Sequence, residues 1–137
     1  IIGRMSTKGK IKYFTLPKNA GPAGLVAGPD GNLYGSEFLG AKVAQITTSG
    51  VVTAEWPLSK AASPKGITIG SDGNLYVAEF YIGKIARVIL SGKQAGKVTE
   101  FPIPTAHSGP WGITSGPDGN IWFTESLKDK IGKLTIR

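Results

Sequence analysis

The chain has 137 residues, enough for one domain with a core and too few for two large ones. Its 20 Gly and 9 Pro beside 40% hydrophobic residues suit short strands joined by tight turns and exclude a disordered chain. The net charge of +7 invites an acidic partner, whereas the lack of Cys excludes disulfides and thiolate chemistry, and no apolar run reaches the ~18 residues of a spanning helix.

Residues 1–7 read as a short strand closed by a Lys8-Gly9 turn. Residues 10–16 alternate and carry Tyr13 and Phe14, so a second strand is expected there, ending at Pro17. After a polar connection, Ala23 to Ala27 forms a small-residue strand, and Asp30-Gly31 supplies the positive-φ positions of a tight hairpin. Strands follow at 32–38, 42–48 and 51–56, the last stopped by Pro57. The order then recurs at 65–69, 74–80, 84–90 and 98–101, with a polar Gly-rich insertion at 91–96, and again at 111–115, 120–125 and 130–136. No 3.6-residue periodicity of useful length occurs, so no helix is expected.

The recurrence is explicit in Pro22-Ala23-Gly24-Leu25, Pro64-Lys65-Gly66-Ile67 and Pro110-Trp111-Gly112-Ile113, each followed by an Asp-Gly-Asn turn. Gly31, Gly73 and Gly119 lie 42 and then 46 residues apart. Four short antiparallel strands at that period predict the blades of an all-β β-propeller. The Pro-x-Gly segment is the expected innermost strand, where Gly24, Gly66 and Gly112 avoid collision with the neighbouring blade. Tyr34, Tyr76 and Trp122 fall on the wider part of the blade, to fill the space between sheets.

Glu37, Glu79 and Glu125 each precede a lysine by five residues, namely Lys42, Lys84 and Lys130. Threefold recurrence points to structural ion pairs across a hairpin rather than to an active site, each adding at most about 1 kcal/mol if exposed. Asp30, Asp72 and Asp118 lack the spacing of a calcium loop and read as turn residues. His107, the one histidine, falls in a connection with no partner base placed beside it, and a His-rich metal centre within one chain is excluded. The lysines are dispersed, and Lys8, Lys10 and Lys12 share one strand face, so solvated faces are expected and a nucleic-acid partner is not. The position that varies chemically is the x of Pro-x-Gly: Ala23, Lys65 and Trp111 are the candidate ligand-binding residues of the axial face.

Pro110-Trp111-Gly112-Ile113-Thr114-Ser115-Gly116-Pro117-Asp118-Gly119-Asn120-Ile121-Trp122-Phe123-Thr124-Glu125, with Lys130-Ile131-Gly132-Lys133-Leu134-Thr135 and Val98-Thr99-Glu100-Phe101-Pro102, resembles the repeat of the streptogramin B lyase (virginiamycin B lyase) family. The resemblance implies a seven-bladed propeller closed by a strand from the N-terminus. It further implies two axial histidines near the C-terminus, one with a glutamate two residues earlier, and magnesium-assisted elimination across the ester of a cyclic depsipeptide. Here Trp111 and Gly109 stand where one histidine and the glutamate would be, and Lys65 replaces the other histidine. No catalytic residue, metal or other cofactor is therefore expected of this chain, magnesium entering only under the lyase alternative.

The strands number thirteen: an orphan pair in 1–17, a blade in 22–58, a blade in 64–104, and a blade in 110–137 lacking its outer strand. Propellers close with about four to eight blades, so three form an incomplete ring. The expectation is either the C-terminal part of a larger propeller, as a chain beginning at Ile1 would suit, or a ring completed by self-association. In the second case a homodimer of about six blades forms by strand exchange, residues 10–16 of one copy supplying the outer strand of the other's last blade. The functional expectation is a non-catalytic scaffold or ligand-binding propeller module, with a diverged lyase as the alternative.

Overall fold

The structure, a computed structural model, describes residues 1–137. Thirteen strands and no helix form four antiparallel sheets. The first sheet pairs β1 (Ile2–Met5) with β2 (Ile11–Phe14). The second holds β3 (Pro22–Ala27), β4 (Leu33–Glu37), β5 (Lys42–Ile46) and β6 (Val52–Pro57) in sequence order. The third holds β7 (Pro64–Ile69), β8 (Leu75–Glu79), β9 (Lys84–Val88) and β10 (Val98–Pro102), and the fourth holds β11 (Pro110–Ser115), β12 (Ile121–Glu125) and β13 (Lys130–Leu134). These are propeller blades in an arc, and the expected strands are all present, with ends that differ by at most two residues. The first hairpin, for example, turns over Ser6–Lys10, where the Ser6 N–H donates to the Lys10 carbonyl at 2.9 Å.

The core lies between blades, because each sheet buries apolar residues against the face of its neighbour. Tyr34, Val43, Ile67, Leu75, Val77, Ala86 and Val88 fill the first interface, and Tyr76, Ala78, Ile85, Ile121 and Phe123 the second. The orphan hairpin sits on the outer half of the first full blade, where Ile2 packs on Leu16, Ala20, Ala44 and Ile46. Burial follows position in the arc. Every residue of β8 is buried, whereas β12 alternates, because its second face has no blade beyond it.

The Asp-Gly-Asn hairpins share one design. Gly31, Gly73 and Gly119 take φ of 81°, 76° and 77°, in the region glycine enters without steric cost. Asp30 Oδ1 accepts the Asn32 N–H at 3.1 Å and its Oδ2 accepts the Tyr34 hydroxyl at 2.8 Å. Asp72 repeats both bonds with Asn74 and Tyr76. In the last blade the indole of Trp122 replaces the phenol and donates to Asp118 Oδ1 at 2.9 Å. The aromatic residue is thus both interblade packing and a staple on its own turn.

The Pro-x-Gly strands meet side by side at the axis. A Cβ on Gly24 would lie 2.6 Å from the Lys65 carbonyl oxygen, and one on Gly66 would overlap that of Trp111. Gly112 has no such neighbour and meets only Thr124.

Candidate functional site

Each inner strand slips register between its Pro and the apolar residue after its Gly: Pro22 to Leu25, Pro64 to Ile67, Pro110 to Ile113. Such an irregularity re-aims a side chain and locally frees the backbone from the ladder. The residues it affects are Ala23, Lys65 and Trp111, and they line one open cavity of about 460 Å³ at the axial end of the arc. The three candidate residues are therefore brought together.

Lys65 is at the centre. Its ammonium nitrogen lies 3.7 Å from the ring centroid of Phe38, 4.5 Å from that of Trp111 and 5.8 Å from that of Phe80. Phe80 meets Trp111 edge-on at 5.4 Å and 82°, which fixes two walls of the cage against each other. Aromatic faces attract a cation through their quadrupole, by about 0.5–2 kcal/mol per contact depending on desolvation. No carboxylate pairs with Lys65: the three ion pairs of the chain are Lys42–Glu55, Lys84–Glu100 and Lys133–Asp118. The ammonium thus keeps N–H donors for an acceptor from outside, and Trp111, 49% exposed, offers a ring face or edge beside them.

Phe38 and Phe80 were not among the expected site residues. Each directly follows the repeated glutamate, Glu37 or Glu79, at the same end of the blade as the Pro-x-Gly strand; the third copy has Ser126 there. That shared position, read across the repeats, was the signal available. His107, at φ 52°, lines a separate cavity of about 730 Å³ with Tyr81, Ile103 and Leu127. Phe80 is common to that cavity and to the cage around Lys65.

The ion pairs expected for Glu37–Lys42, Glu79–Lys84 and Glu125–Lys130 do not form. Their backbones do face one another across the ladders. Yet the Lys42 ammonium reaches Glu55 Oε2 at 3.4 Å, and that of Lys84 reaches Glu100 Oε2 at 3.1 Å. For the first two the reason is desolvation: Glu37 and Glu79 are buried, and a charged carboxylate there loses more hydration than one pair returns. Burial pushes the Glu79 carboxyl up to about 8, reinforced by the adjacent Glu100 carboxylate. Glu37 is raised likewise, by burial and then by Glu55. Burial also pushes Glu100 upward, but bonds from the Ser59 hydroxyl, the Ser59 N–H and Lys84 outweigh it and hold Glu100 below the usual range. None of these groups lines the axial cavity.

The cage contains one cation, three aromatic rings and backbone, with no imidazole or carboxylate that could act as a base. Magnesium does not fit it: that ion takes oxygen ligands, and the side chains of Ala23, Phe38, Lys65, Phe80 and Trp111 offer none.

The sequence profile of the virginiamycin B lyase family matches residues 1–137. No curated protein matches the chain. Among solved structures, virginiamycin B lyase from Staphylococcus aureus is 40% identical with a TM-score of 0.87, over 97% of this chain and 44% of that one. A catalytically inactive variant of the Staphylococcus aureus lyase, solved with quinupristin, matches with the same figures, a TM-score of 0.87 at 40% identity over 97% and 44% of the two chains. A streptogramin B lyase is 36% identical, with a TM-score of 0.87 over 97% and 44%. The chain thus spans less than half the length of these relatives. A structure from the nidogen–laminin complex, 18% identical with a TM-score of 0.69 over 90% of this chain and 46% of that one, shares the fold alone.

Proposed function

The chain belongs to the virginiamycin B lyase family, and from that premise we propose that it is a lyase-like propeller module that binds a ligand at its axial face without cleaving it. The observation that carries this reading is the Lys65 ammonium, held among Phe38, Phe80 and Trp111 with no carboxylate partner. A ligand suited to it presents a carbonyl or anionic oxygen to Lys65 and a ring to the exposed part of Trp111. A cyclic depsipeptide meets both requirements, and a related lyase has been solved with quinupristin. Elimination across an ester needs a group to remove a proton, and the cage around Ala23, Lys65 and Trp111 supplies none.

The second reading, a diverged lyase that opens the depsipeptide ring with magnesium, is favoured by the 40% identity to virginiamycin B lyase. Quinupristin separates the two. Titrated into the chain, it is expected to quench indole emission and to bind at least about tenfold more weakly to Lys65→Ala and Trp111→Ala, the loss of about 1.4 kcal/mol. Mass spectrometry after incubation with magnesium is expected to return the intact ring. An opened ring establishes the lyase reading, and unchanged binding by both variants removes the axial site.

A further inference from the structure

We propose that the cavity lined by His107 is a second subsite of the axial face, one that takes the aromatic side chain of an acylated amino-acid unit. It rests on the ligand-binding reading above for the body of that ligand, whose oxygen meets Lys65, and adds the place where an arm lodges. The cavity, about 730 Å³, lies between the turn at 80–83 and the connection at 103–109 that joins β10 to β11. Its volume is that of a small-molecule site, roughly 300–1,000 Å³. Tyr81, Ile82, Ile103 and Leu127 give it apolar walls, to which Thr105 and His107 add a hydroxyl and an imidazole. No Lys, Arg, Asp or Glu lines it, and none of the three ion pairs involves His107. An ionised group entering there loses hydration without a counter-charge, whereas a ring gains from the walls.

The repeats separate what the fold needs at His107 from what it leaves free. Asn19, Ala61 and His107 hold the same place before the inner strand of their blades, with φ of 64°, 62° and 52°. One bond pins the next residue each time: the carbonyls of Ala20, Ala62 and Ser108 accept the N–H groups of Leu39, Tyr81 and Leu127 at 3.2, 3.3 and 3.2 Å. The left-handed backbone therefore belongs to the blade, while the side chain it aims varies from amide to methyl to imidazole. Alanine serves the fold, so the imidazole is not there for the fold. It is the one imidazole of the chain and it opens on an apolar cavity, where it can stack on a ring and hydrogen-bond an amide. Beside it, Ser108 is wholly buried and its hydroxyl has no partner. That hydroxyl lies 3.3 Å from where a Cβ on Gly83 would be, at a residue that also lines the cavity. An acceptor at this wall, such as the carbonyl of an acyl group, gives the hydroxyl the bond it lacks.

Phe80 joins the cavity to the cage. On the cage side its ring meets Trp111 edge-on at 5.4 Å and lies 5.8 Å from the Lys65 ammonium. On the cavity side its Cε2 stands 3.1 Å from where a Cβ on Gly109 would be, so Gly109 lets the ring and the connection close on each other. The two spaces share this wall, and a ligand that crosses it has an oxygen on Lys65 and a ring beside His107. The two sides of the cavity belong to blades that pack tightly together, Tyr76, Ala78 and Ile85 of one against Ile121 and Phe123 of the other, which fixes their spacing.

The test uses N-acetyl-L-phenylalanine amide as the arm alone and the single histidine as its reporter. The imidazole Cε1–H resonance is identified without labelling, because His107 is the only histidine. Titration at constant pH is expected to shift it saturably, in roughly the millimolar range of a fragment this small. N-acetylglycine amide, which lacks the ring, is expected to leave it in place. Ala106→Phe fills the cavity from an exposed position, and His107→Ala removes the imidazole while keeping a residue that the preceding blade accepts at the same φ. Each is expected to weaken the probe at least about fivefold, read by saturation-transfer NMR on the probe itself. Quinupristin, once bound, is expected to shift the same resonance. An unmoved His107 resonance with the probe, an equal response to the glycine amide, or probe binding that survives Ala106→Phe overturns the subsite. So does a quinupristin complex that leaves His107 unmoved. Failure of the axial reading shows separately, as quinupristin binding that Lys65→Ala and Trp111→Ala leave unchanged.

Discussion

Glu79 is fully buried beside Glu100, with a carboxyl raised to about 8. In the unfolded chain it ionises near its ordinary value of 4.5, so between roughly 4.5 and 8 the folded chain holds a proton that the unfolded chain has lost. This group's contribution is therefore fully present below about 4.5 and is lost as pH rises through 8. Glu79→Gln, which keeps a neutral side chain of similar shape, is expected to flatten that slope, by at most about 1.4 kcal/mol per pH unit. Urea denaturation of both proteins at several pH values from 5 to 9 checks it; parallel curves would mean that Glu79 ionises freely in the folded chain. The aromatic staples make a second residue-scale prediction. Tyr76 is buried and its hydroxyl donates to Asp72 at 2.8 Å, so Tyr76→Phe is expected to cost about 1 kcal/mol. A much larger loss would show that the ring itself had moved.

At the scale of the element, the inner strands depend on backbone approach. Gly66→Ala places a methyl group against the Trp111 carbonyl, and since neither strand can yield without parting two blades, a loss of about 2 kcal/mol or more is expected in denaturant titrations. Gly24→Ala, against the Lys65 carbonyl, is expected to behave alike. The need for glycine at these places is legible in the sequence, because the same residue type recurs at the same point of a 42- to 46-residue period. The hairpins are legible for a related reason: Asp-Gly-Asn satisfies its own backbone locally, so nothing distant has to be known. The ion pairs are not legible. Spacing places Glu37 opposite Lys42 and Glu79 opposite Lys84 but says nothing of burial, and burial redirects each lysine to the fourth strand. The cage around Lys65 is legible by half. Lys65 and Trp111 differ from Ala23 at a repeated place, whereas Phe38 and Phe80 read as strand ends until three blades stand together.

For the whole molecule, burial grades along the arc, with β8 enclosed on both faces and both terminal sheets covered on one. Local stability follows burial and packing, so amide exchange is expected slowest in β8 and fastest in β1 and β13. Uniform exchange across the strands would mean that the blades open together as one unit. The membership of the family and the blade architecture come from the repeated pattern. Finally, the cage draws Phe38 from the first full blade, Lys65 and Phe80 from the second and Trp111 from the third. One point thereby registers the pitch of all three. Any event that opens or tightens the arc must alter the surroundings of the Trp111 indole, which makes its emission, once Trp56 and Trp122 are replaced by Phe, a built-in gauge of curvature.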